Sequence, residues 1–165
     1  MTTEIDKAPE PLRQLVADAD TGGRRPTGLT AGVIFAASLI WALFQLWYAS
    51  PLPFTLGVGI MNDTEARSLH LGLALFLAFT AWPAMRRSPR DRVPIPDWVL
   101  ALTAAFTGAY LLLFYRELAS RPGQPTTLDI GVACVGLVLL LEATRRALGW
   151  PMATLALLFI AYALL

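Results

Sequence analysis

The chain has 165 residues and a net charge of +1, with 56% hydrophobic and 15% charged residues. Soluble domains run at about 45–50% apolar and about 25% charged, so the composition excludes an ordinary water-soluble domain and offers no basic excess for nucleic acid. The single cysteine, Cys134, excludes an internal disulfide and a cysteine-rich metal site.

Residues 1–28 read as a polar tail. Glu4, Asp6, Glu10, Asp18 and Asp20 leave no room for the apolar core of a signal peptide. Within the tail, Leu12, Leu15, Val16 and Ala19 share one helical face. Pro11 can open that helix, and Gly22-Gly23 can close it. The expectation is an interfacial amphipathic helix on the cytoplasmic side, followed by Arg24 and Arg25. The alternative is a tail whose periodicity is accidental.

Residues 29–149 read as a membrane domain of four spans. Span 1 runs from Leu29 to about Ser50, with Gln45 its one strong polar group and Trp41, Trp47 and Tyr48 weighting its far end. Ser50-Pro51-Leu52-Pro53 breaks it. The apolar loop that follows, with Phe54, Leu56, Val58 and Ile60, is expected to lie in the interface or on the bundle. Asn62 with Glu65 three residues later marks a helix start. Span 2 is expected from about Thr64 to Met85. Span 3 begins at Asp97-Trp98 and reaches Tyr115. Span 4 starts near Thr127 and needs Glu142, Arg145 and Arg146 to complete about 20 residues, their stems snorkelling to the headgroups. Gly149 ends it, and Pro151 opens a fifth stretch, residues 150–165, too short to cross and read as the start of a truncated fifth span. The fold class is therefore all-α, a polytopic membrane helix bundle with four full spans and part of a fifth.

Orientation follows from the basic residues. Lys7, Arg13, Arg24 and Arg25 lie in the tail, Arg86, Arg87, Arg90 and Arg92 between spans 2 and 3, and Arg145 and Arg146 between spans 4 and 5. The two intervening loops hold Arg67, Arg116 and Arg121. Ten against three, alternating loop by loop, predicts a cytoplasmic N-terminus.

Few residues offer chemistry. His70, early in span 2, is either a helix contact near the outer interface or a proton relay, and it has no second histidine to work with. Glu142 sits three and four residues before Arg145 and Arg146, so a local ion pair is expected in preference to an ion site. Arg116-Glu117 ends span 3 in a similar way. Cys134 lies in an apolar run and reads as inert. The glycines and alanines around Gly108-Ala109 suit close helix approach, without a cleanly spaced glycine pair. No phosphate loop, nucleophile set or metal-spaced ligands are found, so no catalytic, cofactor or metal residue is assigned. The arginine-rich loop 86–92 reads as lipid-facing, not as a nucleic-acid patch.

A series of short words then becomes usable. Asp20-Thr21-Gly22-Gly23-Arg24-Arg25-Pro26, Phe44-Gln45-Leu46-Trp47-Tyr48-Ala49-Ser50-Pro51-Leu52-Pro53 and Asn62-Asp63-Thr64-Glu65-Ala66-Arg67 come first. Arg87-Ser88-Pro89-Arg90-Asp91-Arg92-Val93-Pro94, Phe114-Tyr115-Arg116-Glu117-Leu118 and Leu141-Glu142-Ala143-Thr144-Arg145-Arg146-Ala147-Leu148-Gly149 follow. In order and spacing they resemble the start of fused TRAP transporter permeases of the TAXI type. The resemblance implies a four-span small domain joined to a large twelve-span domain in one polypeptide of the bacterial inner membrane. It implies a periplasmic substrate-binding protein as partner and uptake of organic anions such as carboxylates, driven by a sodium or proton gradient. It places substrate and ion sites in the large domain and gives the small one a bracing role, so this chain is expected to be non-enzymatic and unable to transport alone. Two other readings stay open: the small subunit of another tripartite carboxylate transporter, and a small membrane enzyme using His70 or Glu142.

Overall fold

A computed structural model describes Pro9 and residues 23–85 and 88–165. Among the described residues the chain is all-helical. Seven helices follow one another: α1 (Gly28–Ala49), α2 (Leu52–Leu56), α3 (Asp63–Ala81), α4 (Ile95–Leu113), α5 (Tyr115–Ser120), α6 (Thr127–Leu148) and α7 (Trp150–Leu164). The proposed amphipathic segment, Leu12 to Ala19, and Arg86-Arg87 lie outside the described residues.

Three helices, α1, α4 and α6, are long and apolar enough to cross a membrane. At about 1.5 Å per residue they span roughly 28–33 Å, which makes the chain a membrane protein by length and composition. Helix α3 differs from them. Asp63, Glu65 and Arg67 occupy its first turns and lower its hydropathy, and it ends at Ala81, short of the expected Met85. It is also the most enclosed helix, burying Ala66, Ser68, Gly72, Leu75, Leu77, Phe79 and Thr80. A helix surrounded by protein does not need a uniformly apolar surface. Helix α7, at 15 residues, covers only about 22 Å.

The local signals act as their chemistry dictates. Asn62 and Glu65 form a reciprocal cap at the start of α3, each side chain bonded to the other's backbone N–H at 2.9 and 3.0 Å. Thr126 and Asp129 do the same for α6. Pro94 and Pro96 start α4 two residues earlier than the Asp97 expectation, and α4 stops at Leu113, where a break at Phe114 leads into α5. Gly149 joins α6 to α7 with φ 86° and ψ 180°, a conformation essentially reserved for glycine.

The core lies between α3, α4 and α6. Leu75, Phe79, Ala101, Ala104, Leu139 and Ala143 form its buried cluster. Helices α3 and α4 meet backbone to backbone. A Cβ placed on Gly108 would lie 2.7 Å from the Gly72 nitrogen and 2.8 Å from its Cα. The glycine pair that no single helix shows is thus split between two helices, one partner on each. Ser68 locks the crossing: its hydroxyl donates to the Gly108 carbonyl at 2.8 Å and accepts from the Leu112 N–H at 3.0 Å. Small residues and shared hydroxyls are what hold helices together where lipid removes the hydrophobic drive. Helix α1 has no buried residue and touches α3 along a single seam.

Candidate functional site

The charged side chains gather at two opposite ends of the bundle, and each end is an organised cluster. At the arginine-rich end, the segment before α1 is pinned down by Arg24. Its backbone N–H bonds to the Ala81 carbonyl, and the next N–H, of Arg25, bonds to the Arg90 carbonyl. The buried Arg24 guanidinium donates to the Phe79 and Thr80 carbonyls at 3.2 and 3.3 Å and pairs with Asp97. Those carbonyls belong to the last turn of α3, which lacks intrahelical donors there, so Arg24 serves as a distant cap. Asp97, in the first turn of α4, also takes Arg146 of α6 at 2.9 Å. Arg146 passes on to Glu142 at 2.8 Å, and Glu142 takes Arg145 at 2.7 Å. Arg145 reaches back to the Ala84 carbonyl at 3.0 Å. One connected network therefore ties the N-terminal segment, α3, α4 and α6. Stacking reinforces it, with the Arg146 guanidinium 4.7 Å from the Phe79 ring centre and that of Arg145 5.4 Å from Trp150.

At the other end, Asp129 sits at the start of α6 and is buried. The Tyr110 hydroxyl of α4 donates to it at 2.6 Å, and Arg121 donates at 2.5 Å. Arg121 also donates to the Gln124 carbonyl and pairs with Glu117 at 3.5 Å. The hydrogen bond to Asp129 holds the Arg121 guanidinium further above its ordinary range, so it stays charged. This cluster closes the loop 121–126 onto the helix ends. An apolar groove of about 590 Å³ runs inward from it between α3, α4 and α6, with Leu71, Leu75, Leu111, Ala133 and Leu137 on its walls.

The residues singled out in the sequence fall into this frame separately. Glu142 is the ion partner of Arg145 and Arg146 that its spacing predicts, and the wider network gives it a further role. His70 makes the helix contact: the Trp41 indole N–H donates to its Nδ1 at 3.3 Å, with the Gln45 amide also on that nitrogen. An indole nitrogen only donates, so Nδ1 accepts in this contact. His70 lies in the α1–α3 seam and Glu142 in the network at the arginine-rich end, so the structure does not bring the two together. Cys134 is exposed on α6. Sequence reasoning missed Arg24, Asp97, Tyr110 and Asp129 as partners. A signal existed for Asp129, which follows Thr126 at capping-box spacing. A weaker one existed for Asp97, the acid at the start of a span beside an arginine-rich loop. None existed for Tyr110.

No group of three or more His, Cys, Asp or Glu close enough to hold a metal is found among the described residues. No family model, curated protein or solved structure matches the chain.

Proposed function

We propose that this chain is the scaffold portion of a secondary-active tripartite permease of the TRAP type. In this reading it braces a large membrane domain that imports organic anions such as carboxylates across the bacterial inner membrane. It contributes four spans, α1, α3, α4 and α6, with α7 leading toward the large domain and the N-terminus in the cytoplasm. Helix α3 counts as the fourth span because its charged first turns sit at one end and the rest of it is enclosed by partners.

The observation that carries the reading is the arginine-rich network. Arg24, Asp97, Glu142, Arg145 and Arg146 join three helices and the N-terminal segment. Three loops that the alternation of arginines assigns to one side of the membrane meet in that one cluster, as an up-and-down bundle requires. The resemblance of the ordered words to the permease family supplies the rest of the support. The close α3–α4 contact at Gly72 and Gly108 suits a part that stays still while another moves.

The test is co-expression with a separately encoded twelve-span domain of a TAXI-type permease. The chain should co-purify with that domain in detergent and restore its accumulation. Purification of the chain free of the large domain, with the large domain unaffected by its presence, would count against the reading.

A further inference from the structure

The arginine-rich network is unbalanced. It contains three guanidiniums, Arg24, Arg145 and Arg146, and two carboxylates, Asp97 and Glu142, a net charge of +1. Most of the network lies away from the surface. The side chains of Arg24 and Arg146 are 0% and 3% exposed, and that of Asp97 is 8% exposed. An uncompensated charge removed from water is strongly disfavoured, and more so next to hydrocarbon. A second observation points the same way. The Arg24 Nε is buried and has no hydrogen-bond partner among the described residues. Among the described residues the network thus has one more guanidinium than carboxylate and one buried N–H without an acceptor.

The open edge of the cluster is at Arg145 and Glu142, whose side chains are 23% and 30% exposed. Arg145 donates through Nε and Nη2 and leaves Nη1 for a further acceptor. Trp150, on which Arg145 stacks, opens the short apolar helix α7, so this edge lies where an apolar helix meets a charged helix end. That is the depth at which lipid headgroups sit. We propose that this edge binds a phosphate-type oxyanion that supplies the missing charge, and that its source is the headgroup of an anionic phospholipid. A phosphodiester carries a single negative charge and offers an acceptor oxygen to the remaining Nη1, which matches both the deficit and the open donor. The proposal goes beyond the permease reading and does not rest on it.

Charge balance makes the test directional. The full chain, purified in a neutral detergent, is mixed with phosphatidylglycerol, phosphatidylcholine or inorganic phosphate. Retained lipid is counted by native mass spectrometry, and the melting temperature is followed in parallel. Phosphatidylglycerol should be retained in preference to phosphatidylcholine and should raise the melting temperature. Arg145→Gln brings the network to neutrality and removes the open donor, so it should weaken that preference by roughly tenfold, the value of one charge-assisted contact. Glu142→Gln raises the net charge to +2 and should strengthen the preference. If Arg145→Gln does not fold, the sign of the Glu142→Gln effect still decides. Equal retention of both lipids by the wild-type chain overturns the proposal, as does a shift in the same direction in both variants. Stabilisation by millimolar inorganic phosphate equal to that by phosphatidylglycerol overturns the lipid source.

Discussion

Gly108→Ala tests the packing that the rest of the fold leans on. The added methyl would meet the Gly72 nitrogen at 2.7 Å, its Cα at 2.8 Å and the Leu71 carbonyl carbon at 3.1 Å. All three are backbone atoms, so no side chain can turn aside. Carbon atoms rest at about 3.5–4.0 Å, and relief requires α3 and α4 to part by about 0.8 Å. That movement stretches the two Ser68 hydrogen bonds, now 2.8 and 3.0 Å, to about 3.6–3.8 Å, beyond useful range. Overpacking of this kind costs about 1–3 kcal/mol, and each interhelical bond about 0.6 kcal/mol. Replacing glycine by alanine within a helix returns about 1 kcal/mol. The expected net loss is about 1–3 kcal/mol, read by equilibrium unfolding in mixed micelles with increasing denaturing detergent. Two other glycines calibrate the scale. At Gly136 the new Cβ meets the Thr107 side chain at 3.3 Å, and at Gly131 it meets open space, so the losses should fall to under about 1 kcal/mol and to zero or a small gain. Gly108→Ala indistinguishable from Gly131→Ala would refute the backbone-to-backbone contact.

Other expectations concern the two ends. Asp97→Asn leaves Arg24 and Arg146 buried without their shared carboxylate and should cost about 3–5 kcal/mol, seen as loss of folded protein in detergent. Tyr110→Phe removes one donor from Asp129 and leaves Arg121 in place, so it should cost about 1.5–3 kcal/mol, measured by the same unfolding assay. In a Cys134→Ser background, cysteine at Gln124 should react with an impermeant reagent added outside the cell and cysteine at Asp91 should not. The reverse pattern would sink the orientation. Gly149→Ala forces a side chain into a glycine-only conformation between α6 and α7 and should lower stability by about 1–3 kcal/mol.

How much of this was readable beforehand depends on the range of the interaction. Asn62 with Glu65 and Gly149 with Pro151 are local signals, and the helix boundaries they mark are within a residue or two of the observed ones. The Glu142 pairs with Arg145 and Arg146 are equally local, set by one turn of helix. Arg24 is different. Its partners are Phe79, Thr80 and Asp97, more than fifty residues away, and nothing in its neighbourhood separates a buried keystone from a topogenic arginine. The Gly72–Gly108 contact escaped for the same reason, because a motif search along one helix cannot see a pair divided between two. Hydropathy undervalued α3, since its charged first turns are averaged with an enclosed apolar remainder.

The proposed role is to brace a transporter without carrying substrate. Gradient-driven uptake of a radiolabelled carboxylate into liposomes tests it most directly, with the periplasmic binding protein present and three preparations compared: the 165-residue chain alone, the large domain alone and the two together. Uptake should appear only when both are present and should vanish when the ion gradient is collapsed. Sustained gradient-dependent uptake by the 165-residue chain alone would contradict the account.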